Sequence, residues 1–376
     1  MLWEVLWPLA LGFLLSAIVQ TLVSRGAIVR ALGSDSPRSL FNATLLGAAS
    51  SSCSYAAVAI GRSLFRKGAS FPAAIVFQFA STNLVFELGL ILLILLGWQF
   101  VGAEFAGGVL MIVILTLLFR ATLRPRLVHE ARRQAEMGRL GRMEGHGEMD
   151  MSVTEGPFLA RLFSTRGLTA VSHYFWMDVT AVWLDIGIGL LIAGALAAWV
   201  PEAFWRSFFL NGHPVLSEIW GPLVGPLIAM LSFVCSVGNV PLAAVLWNGG
   251  ISFGGAIAFI FADLLIIPIL DIYRRYYGTR MAVYLALVSY IAMVLAGLLI
   301  SLLFQVLGWV PQHRAVLALL EGPRLNYTSV VNVLALILML AMGWRFLGTG
   351  GLEMLRMMEM PAASSADAAP HDHHHD

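Results

Sequence analysis

Long apolar runs recur along the whole chain, separated by short charged segments. Each run is close to the roughly 20 residues that an α-helix needs to cross the hydrocarbon core of a bilayer. Charged residues make up only 12% of the sequence, whereas soluble domains carry about 25%. The sequence therefore predicts an all-α, polytopic membrane protein and excludes an ordinary soluble enzyme. Its near-neutral net charge of +1 argues against a nucleic-acid partner, which would require a clustered basic excess.

Clusters of arginine indicate which loops face the cytoplasm. The segment from Arg120 to Arg142 contains seven arginines and only two acidic residues, Glu130 and Glu136. Cationic loops stay on the cytoplasmic side of a membrane. We therefore expect this segment to be a cytoplasmic linker, with the N-terminus outside and the C-terminus inside.

Seven full spans follow from the apolar runs and the charges that flank them. They are 5–23, 69–98, 101–119, 179–200, 252–272, 281–307 and 328–347. Two more apolar stretches, 39–61 and 219–247, are predicted to be re-entrant. Irregular backbone at membrane depth survives only where protein or a water-filled cavity surrounds it. Either stretch could also be a full crossing, so seven to nine spans remain open.

An internal repeat links the two halves of the chain. A shift of 182 residues places Cys53 on Cys235, and 12 of the 28 positions from 53 to 80 are then identical. Each half contains an odd number of crossings, so the second half is predicted to be inverted relative to the first. Inverted repeats are common in secondary transporters, whose binding sites lie near the midplane. An old duplication retained only for stability is the alternative.

The chain is accordingly divided into five predicted segments. They are a first membrane repeat (1–119), a cytoplasmic linker (120–178), a second membrane repeat (179–307), an external loop with the last span (308–348), and a cytoplasmic tail with a His-rich end (349–376). Each repeat is expected to contain three spans and one re-entrant stretch. The last span is extra.

The pairs Cys53-Ser54 and Cys235-Ser236 lie at matching points of the two re-entrant stretches. Pseudo-symmetry is expected to bring the two thiols together near the centre, where thiolates would bind soft ions. A buried cysteine can instead be an inert, small apolar residue. Asn239, beside the helix-breaking Gly238, is a further candidate for binding the solute.

Acidic residues inside spans are the next candidates, because a carboxylate at a helix centre costs about 2.5–3.5 kcal/mol. Glu87 and Asp263 are assigned to coupling, and Asn83, at a similar depth, is a candidate for binding the solute. A hydrogen bond between helices is the alternative role. We expect Asp178 at the membrane interface, and Asp271 in a solvated ion pair with the arginines three and four residues later.

The histidines near the C-terminus form a second type of candidate site. His and Asp together bind divalent transition metals, and the tail carries His371, His373, His374 and His375. We expect only weak metal binding there, in a segment whose composition predicts disorder. An expression-tag remnant is the alternative.

These two stretches resemble the bacterial predicted-permease family that includes the organoarsenical efflux permeases. Family members carry a Cys-Ser-Cys-Gly type motif in a membrane segment, and this chain reads Cys235-Ser236-Val237-Gly238 and Cys53-Ser54-Tyr55-Ala56. The resemblance implies a permease of the bacterial inner membrane. Tyr55 and Val237 stand where thiol-rich members have a second cysteine, so arsenical specificity does not follow.

Together, the residues and the resemblance predict a secondary transporter that works by alternating access. Its solute would be a small soft metal, metalloid or sulfur-containing compound, and the expected direction of transport is export. The chain contains no Gly-x-x-x-x-Gly-Lys-Ser/Thr segment, so a gradient is the simpler energy source. No cofactor and no enzymatic activity are predicted. A membrane-embedded thiol or metal-handling enzyme or assembly factor and a channel remain the alternatives, and a homo-oligomer is left open.

Overall fold

The fold is that of a computed structural model, which describes residues 2–22, 32–50, 54–136, 151–153, 156–210, 212–232, 236–311 and 327–359. Within these ranges the chain forms α-helices and one 3-10 helix, with no β-strand. The all-α prediction is therefore confirmed. A helix satisfies its own backbone hydrogen bonds, which is what an apolar chain in a bilayer requires.

The helices are numbered here in chain order. The first half contains α1 (Leu2–Leu22), α2 (Pro37–Ser50), α3 (Ser54–Arg66), α4 (Phe71–Asn83), α5 (Phe86–Leu95), α6 (Trp98–Thr122) and α7 (Pro125–Glu136). The second half contains α8 (Phe158–Phe163), α9 (Thr165–Trp199), α10 (Glu202–Phe208), α11 (Pro214–Ser232), α12 (Ser236–Gly249), α13 (Phe253–Ile260), α14 (Ile267–Tyr277) and α15 (Thr279–Val306). The last helices are α16 (Tyr327–Gly348) and α17 (Gly351–Glu359).

Five candidate membrane spans stand out among the described residues by length and hydropathy, and a sixth is counted if the bent pair formed by Phe253–Leu264 and Ile267–Tyr277 is one span. The count is lower than the predicted seven. The run at 5–23 lies on α1 and the run at 179–200 lies mostly on α9. Neither of these helices is among the five candidate spans.

The described residues of the two stretches expected to be re-entrant form two helices each. In the first stretch these are α2 and α3, of 14 and 13 residues, on either side of 51–53, which lie outside the described residues. The second is divided into α11 and α12, of 19 and 14 residues. Since α11 passes the length and hydropathy test for a span by itself, re-entry of the whole stretch 219–247 does not follow from helix length.

The turns that precede α4 and α13 have the same local geometry. Gly68 and Gly250 both have positive φ, at 112° and 105°, a conformation that glycine adopts without steric cost. Ser70 and Ser252 are the N-caps, with extended backbone and a hydroxyl that accepts from the N–H three residues later. Gly68 and Gly250 are 182 residues apart, as are Ser70 and Ser252, and this is the spacing of the sequence repeat.

Both α4 and α13 are also followed by a break. After α4, Val85 has an extended backbone (φ −105°, ψ 147°) before α5 begins. After α13, the chain tightens into the 3-10 helix Phe261–Leu264, and Ile266 is extended (φ −61°, ψ 147°) before α14. Pro268 stands in the first turn of α14, where its missing N–H is tolerated. Each break frees backbone groups inside the protein.

Arginines join the ends of several helices on one face of the molecule. Arg120 donates to the carbonyl of Asp35 at 3.3 Å. Arg132 of α7 donates to the carbonyls of Phe65 and Ala69 at 3.0 and 3.2 Å. Both ends of the α2–α3 pair therefore lie beside the arginine-rich segment. The C-terminal end of α16 reaches the start of α9, since Arg345 donates to the carbonyl of Thr165 at 2.9 Å.

A second group of contacts joins the start of α11 to the end of α15. Ser301 donates to the carboxylate of Glu218 at 2.8 Å. Trp309, just after α15, packs edge-on against Trp98 at the start of α6, with 5.7 Å between ring centroids. These residues lie at the opposite ends of α6 and α15 from the arginines. The five-segment division of the chain stays a prediction.

Candidate functional site

Asp263 lies at the break between α13 and α14 and is fully buried. The hydroxyl of Ser54, the first residue of α3, donates to its Oδ2 at 2.8 Å. The Nδ2 of Asn83, the last residue of α4, donates to its Oδ1 at 3.3 Å. Three of the predicted site residues therefore meet, and they come from three helices in both halves of the chain.

Local backbone geometry places Asp263 in this position. Its neighbour Ala262 leaves the helical region, with φ −88° and ψ 16°, and this kink ends the regular α-helix. On the other side, α4 ends directly after Asn83, and the hydroxyl of Ser54 stands at the N-terminus of α3. Two helix ends and one helix start thus converge on one carboxylate, an arrangement typical of midplane sites in transporters.

Glu104 of α6 is a buried carboxyl that sequence analysis missed. It has no exposed surface, and neither of its carboxylate oxygens has a hydrogen-bond partner among the described residues. One turn further along α6, Gly107 and Gly108 pack against the two breaks. A Cβ on Gly107 would lie 2.9 Å from the ring of Phe261, and one on Gly108 would lie 2.6 Å from Leu84.

The signal that would have revealed Glu104 was present in the sequence. It is an acidic residue in a long apolar run, as Glu87 and Asp263 are. Residues three and four apart lie on one face of a helix. Glu104 therefore shares with Gly107 and Gly108 the face of α6 that meets the breaks, and the charge of Asp263 acts on it.

Asn239 and Ser236, on the first two turns of α12, are both buried. Neither polar atom of the Asn239 side chain has a hydrogen-bond partner among the described residues. The structure gives no hydrogen bond from either residue to Asp263. The predicted symmetrical role of the α12 side therefore stays a prediction, although Asn239 is a second buried group with unused hydrogen-bonding capacity.

Glu87 does not join the group around Asp263 but lies in a second polar region. Its side chain packs against Gly12 of α1, where an added Cβ would lie 2.1 Å from the Glu87 Cβ. Asp178 of α9 is in the same region, because it contacts Ser16, one turn after Gly12 on α1. Asp178 accepts hydrogen bonds from Ser16 and Gln20 of α1, each at 3.1 Å.

The depth of Asp178 at the membrane interface stays a prediction, but its side chain is buried in the protein and only 3% exposed. The cause is the packing of α1 against α9, which covers the residue with Ser16 and Gln20. A contact between residues that far apart in the chain leaves no local pattern in the sequence. The surface ion pair of Asp271 is confirmed, with Arg274 and Arg275 both at 2.7 Å.

A chain of buried polar groups extends from the arginine-bearing face towards Asp263. Tyr273 donates to Oε1 of Gln78 at 2.8 Å, and Nε2 of Gln78 lies 3.4 Å from the hydroxyl of Tyr277. Arg62 is buried beside them, over the ring of Tyr276 at 4.4 Å from its centroid. Its Nη2 donates to the carbonyl of Ala135 in α7 at 2.8 Å.

Several predicted site residues lie outside the described residues. They are Cys53, Cys235, His371, His373, His374 and His375. Within the described ranges, no group of three or more His, Cys, Asp or Glu side chains is arranged to hold a metal ion. The thiol and histidine predictions therefore stay predictions. Ser54, which follows Cys53 directly in the Cys-Ser motif, donates a hydrogen bond to the buried carboxylate of Asp263.

The sequence profile of a family described as predicted permease (ArsP_1) matches residues 1–302. The chain belongs to this family. It is also 58% identical over 352 residues to a Mycobacterium tuberculosis H37Rv protein named "Putative permease Rv2963", covering 93% of this chain and 86% of that protein. No solved structure matches it. The resemblance read from the two Cys-Ser motifs is thus confirmed at the level of the permease family.

Membership of this permease family accounts for the buried polar groups better than packing alone. The family description names a transport protein, and the described residues place an aspartate, a serine and an asparagine in contact inside an apolar helical body. Polar groups at such depth are costly and mark solute or ion pathways. This assignment favours a transporter over an enzyme.

Proposed function

We propose that the protein is a secondary transporter of the bacterial inner membrane that exports a small soft solute by alternating access. One observation carries the proposal: Ser54 of the first half donates to Asp263 at the helix break of the second half. A site shared by two halves can be opened to either side of the membrane when the halves move against each other. A buried carboxylate can bind a proton or a cation, and that binding could be coupled to the motion.

The two halves are proposed to be inverted copies. The matched glycine and serine turns at 68–70 and 250–252 support the duplication. The contacts of Arg120 and Arg132 with the ends of α2 and α3 support re-entry of that pair from the arginine-bearing face. The contact of Ser301 with Glu218 supports entry of α11 from the other face. The arginine-bearing face is proposed to be cytoplasmic, with the N-terminus outside and the C-terminus inside.

The substrate class follows from the residues beside the described site. Cys53 immediately precedes Ser54, and Cys235 immediately precedes Ser236. Thiolates select soft ions and metalloids over hard ones. The solute is therefore proposed to be a soft metal, a metalloid or a sulfur-containing compound. Glu87 and Asp263 are proposed to carry coupling, since each is a buried acid in its own polar region.

Everted membrane vesicles test this proposal. Vesicles containing the native protein should accumulate one member of a panel of soft metals and metalloids against its gradient, and Asp263→Asn should abolish accumulation. Asp271→Asn is the matched control, because its ion pairs are exposed and such pairs contribute little. A Cys53→Ala/Cys235→Ala variant should also lose accumulation. If Asp263→Asn transports as the native protein does, the proposal is wrong.

A further inference from the structure

Three buried acceptor oxygens near the helix breaks have no hydrogen-bond donor among the described residues. They are Oε1 and Oε2 of Glu104 and Oδ1 of Asn83, and both side chains are fully buried. The other end of the Asn83 amide is already used, because Nδ2 donates to Asp263. Buried acceptors in folded proteins nearly always have a partner, so this group calls for one that the described residues do not provide.

Two glycines of α6 place Glu104 on the helix face that meets both breaks. Gly107 and Gly108 let α6 approach Phe261, two residues before Asp263, and Leu84, which directly follows Asn83. Glu104 lies one turn away on the same face of α6. A larger residue at either glycine would have to displace the ring of Phe261 or the side chain of Leu84.

The charges around this cluster call for a positive partner. No Lys or Arg among the described residues forms an ion pair with Asp263 or Glu104. Burying a charged group is costly unless it is paired or coordinates a metal ion. A proton on Glu104 would turn one of its oxygens into a donor for a single acceptor, whereas one cation can bind several oxygens at once.

We propose that Asp263, Glu104 and Asn83 bind a sodium ion at the two helix breaks. Every atom offered to the cation in this cluster is oxygen, and oxygen ligands suit hard cations, not the soft ions assigned to the thiols. Broken helices also offer backbone carbonyls, which bind Na⁺ in other transporters. Two carboxylates and an amide are few ligands for Ca²⁺, which takes 6–8 oxygens in proteins.

This inference deepens the proposed function, since it assigns the coupling ion, but the binding itself can be measured without any solute. Purified protein in detergent should bind radioactive ²²Na⁺ in a scintillation proximity assay, with NaCl competing and KCl or choline chloride not competing. Glu104→Gln should weaken Na⁺ binding by about tenfold or more, since a lost charged ligand costs about 1.4 kcal/mol or more. Glu218→Gln is the matched control, because Glu218 is a partly exposed acid whose carboxylate accepts from Ser301.

A second measurement guards against loss of folding in the variant. The midpoint of thermal unfolding of native protein should rise with NaCl above its value in choline chloride at equal ionic strength, because a ligand that binds only the folded state stabilises it. Glu104→Gln should unfold cooperatively with no Na⁺-specific rise. Stabilisation by Ca²⁺ alone, a response to pH without Na⁺, or full Na⁺ binding by Glu104→Gln would each overturn the sodium site.

The experiments distinguish failure of the soft-solute transporter proposal from failure of the sodium-site proposal. Na⁺ binding that depends on Glu104, with no solute accumulated by vesicles, would leave the site in place and remove the soft solute. Accumulation that does not depend on Na⁺, with no ²²Na⁺ bound, would retain the transporter and remove the sodium site.

Discussion

The hydroxyl of Ser54 lies 2.8 Å from Oδ2 of Asp263, although the two residues are 209 positions apart. One residue begins a helix of the first half, and the other lies in a helix break of the second. A movement of α3 away from this break would remove a hydrogen-bond donor from the carboxylate. The balance between its protonated and ionised forms would then change. In the proposed transport cycle, this contact would link the position of one half to the protonation or ion occupancy of the other.

Ser54→Ala should lower stability by about 1.5–3 kcal/mol, because it removes a buried hydrogen bond to an acidic group. Ser63→Ala, on the same helix, is the matched control, and it should change stability by less than about 0.5 kcal/mol. Denaturant unfolding of the purified protein, followed by tryptophan fluorescence, measures the difference. Equal stability of the two variants would mean that the Ser54 contact is not maintained in the membrane protein.

Part of this site could be predicted from the sequence, because its signals are local. Asp263 and Asn83 were candidates as polar residues within apolar runs, and Ser54 was a candidate through the repeated Cys-Ser motif. Glu104 satisfied the same rule and was missed. The burial of Asp178 depends on the packing of α1 against α9, and no pattern within a single helix contains that information.

The fold shows the same division between local and long-range information. Hydropathy predicted where helices would form, and the arginines marked the face on which their ends meet. Hydropathy did not predict that the first part of 219–247 would belong to a 19-residue helix, Pro214–Ser232, that is long enough to span by itself.

Cysteine labelling should separate the two faces of the inverted arrangement. In a Cys53→Ala/Cys235→Ala background, Ser36→Cys and Lys67→Cys lie at the two ends of the α2–α3 pair and are exposed. Both should react with a membrane-impermeant maleimide only in everted vesicles, where the cytoplasmic face is outside.

The same labelling experiment tests on which side of the membrane α11 of the second half begins. His213→Cys, just before α11 and exposed, should react only in intact spheroplasts. Arg133→Cys in α7 is the orientation control, which should behave as Ser36→Cys does. Reaction of Ser36→Cys and Lys67→Cys from opposite sides would make the α2–α3 pair a full crossing and would contradict re-entry.

The crossing of α13 and α15 should tolerate no added methyl group. An added Cβ on Gly297 would lie 2.7 Å from the carbonyl oxygen of Gly254, and the reciprocal distance is 2.4 Å. Because the obstacle is backbone, Gly297→Ala should cost about 1–3 kcal/mol. Gly187→Ala is the matched control, since an added Cβ there meets nothing within 4 Å. The midpoint of thermal unfolding should fall in the first variant and not in the second.

Arg62 should hold the linker helix α7 against the membrane body. Its Nη2 is the donor to the carbonyl of Ala135 at 2.8 Å, and its guanidinium lies over the ring of Tyr276. Arg62→Gln removes the charge and shortens the side chain, so α7 should detach more often and trypsin should cleave within it several times faster. Arg66→Gln removes one exposed arginine from the same helix and is the control. Gel analysis of timed digests gives the rates, and equal rates in the two variants would show that α7 is held by its other contacts, such as those of Arg132 with Phe65 and Ala69.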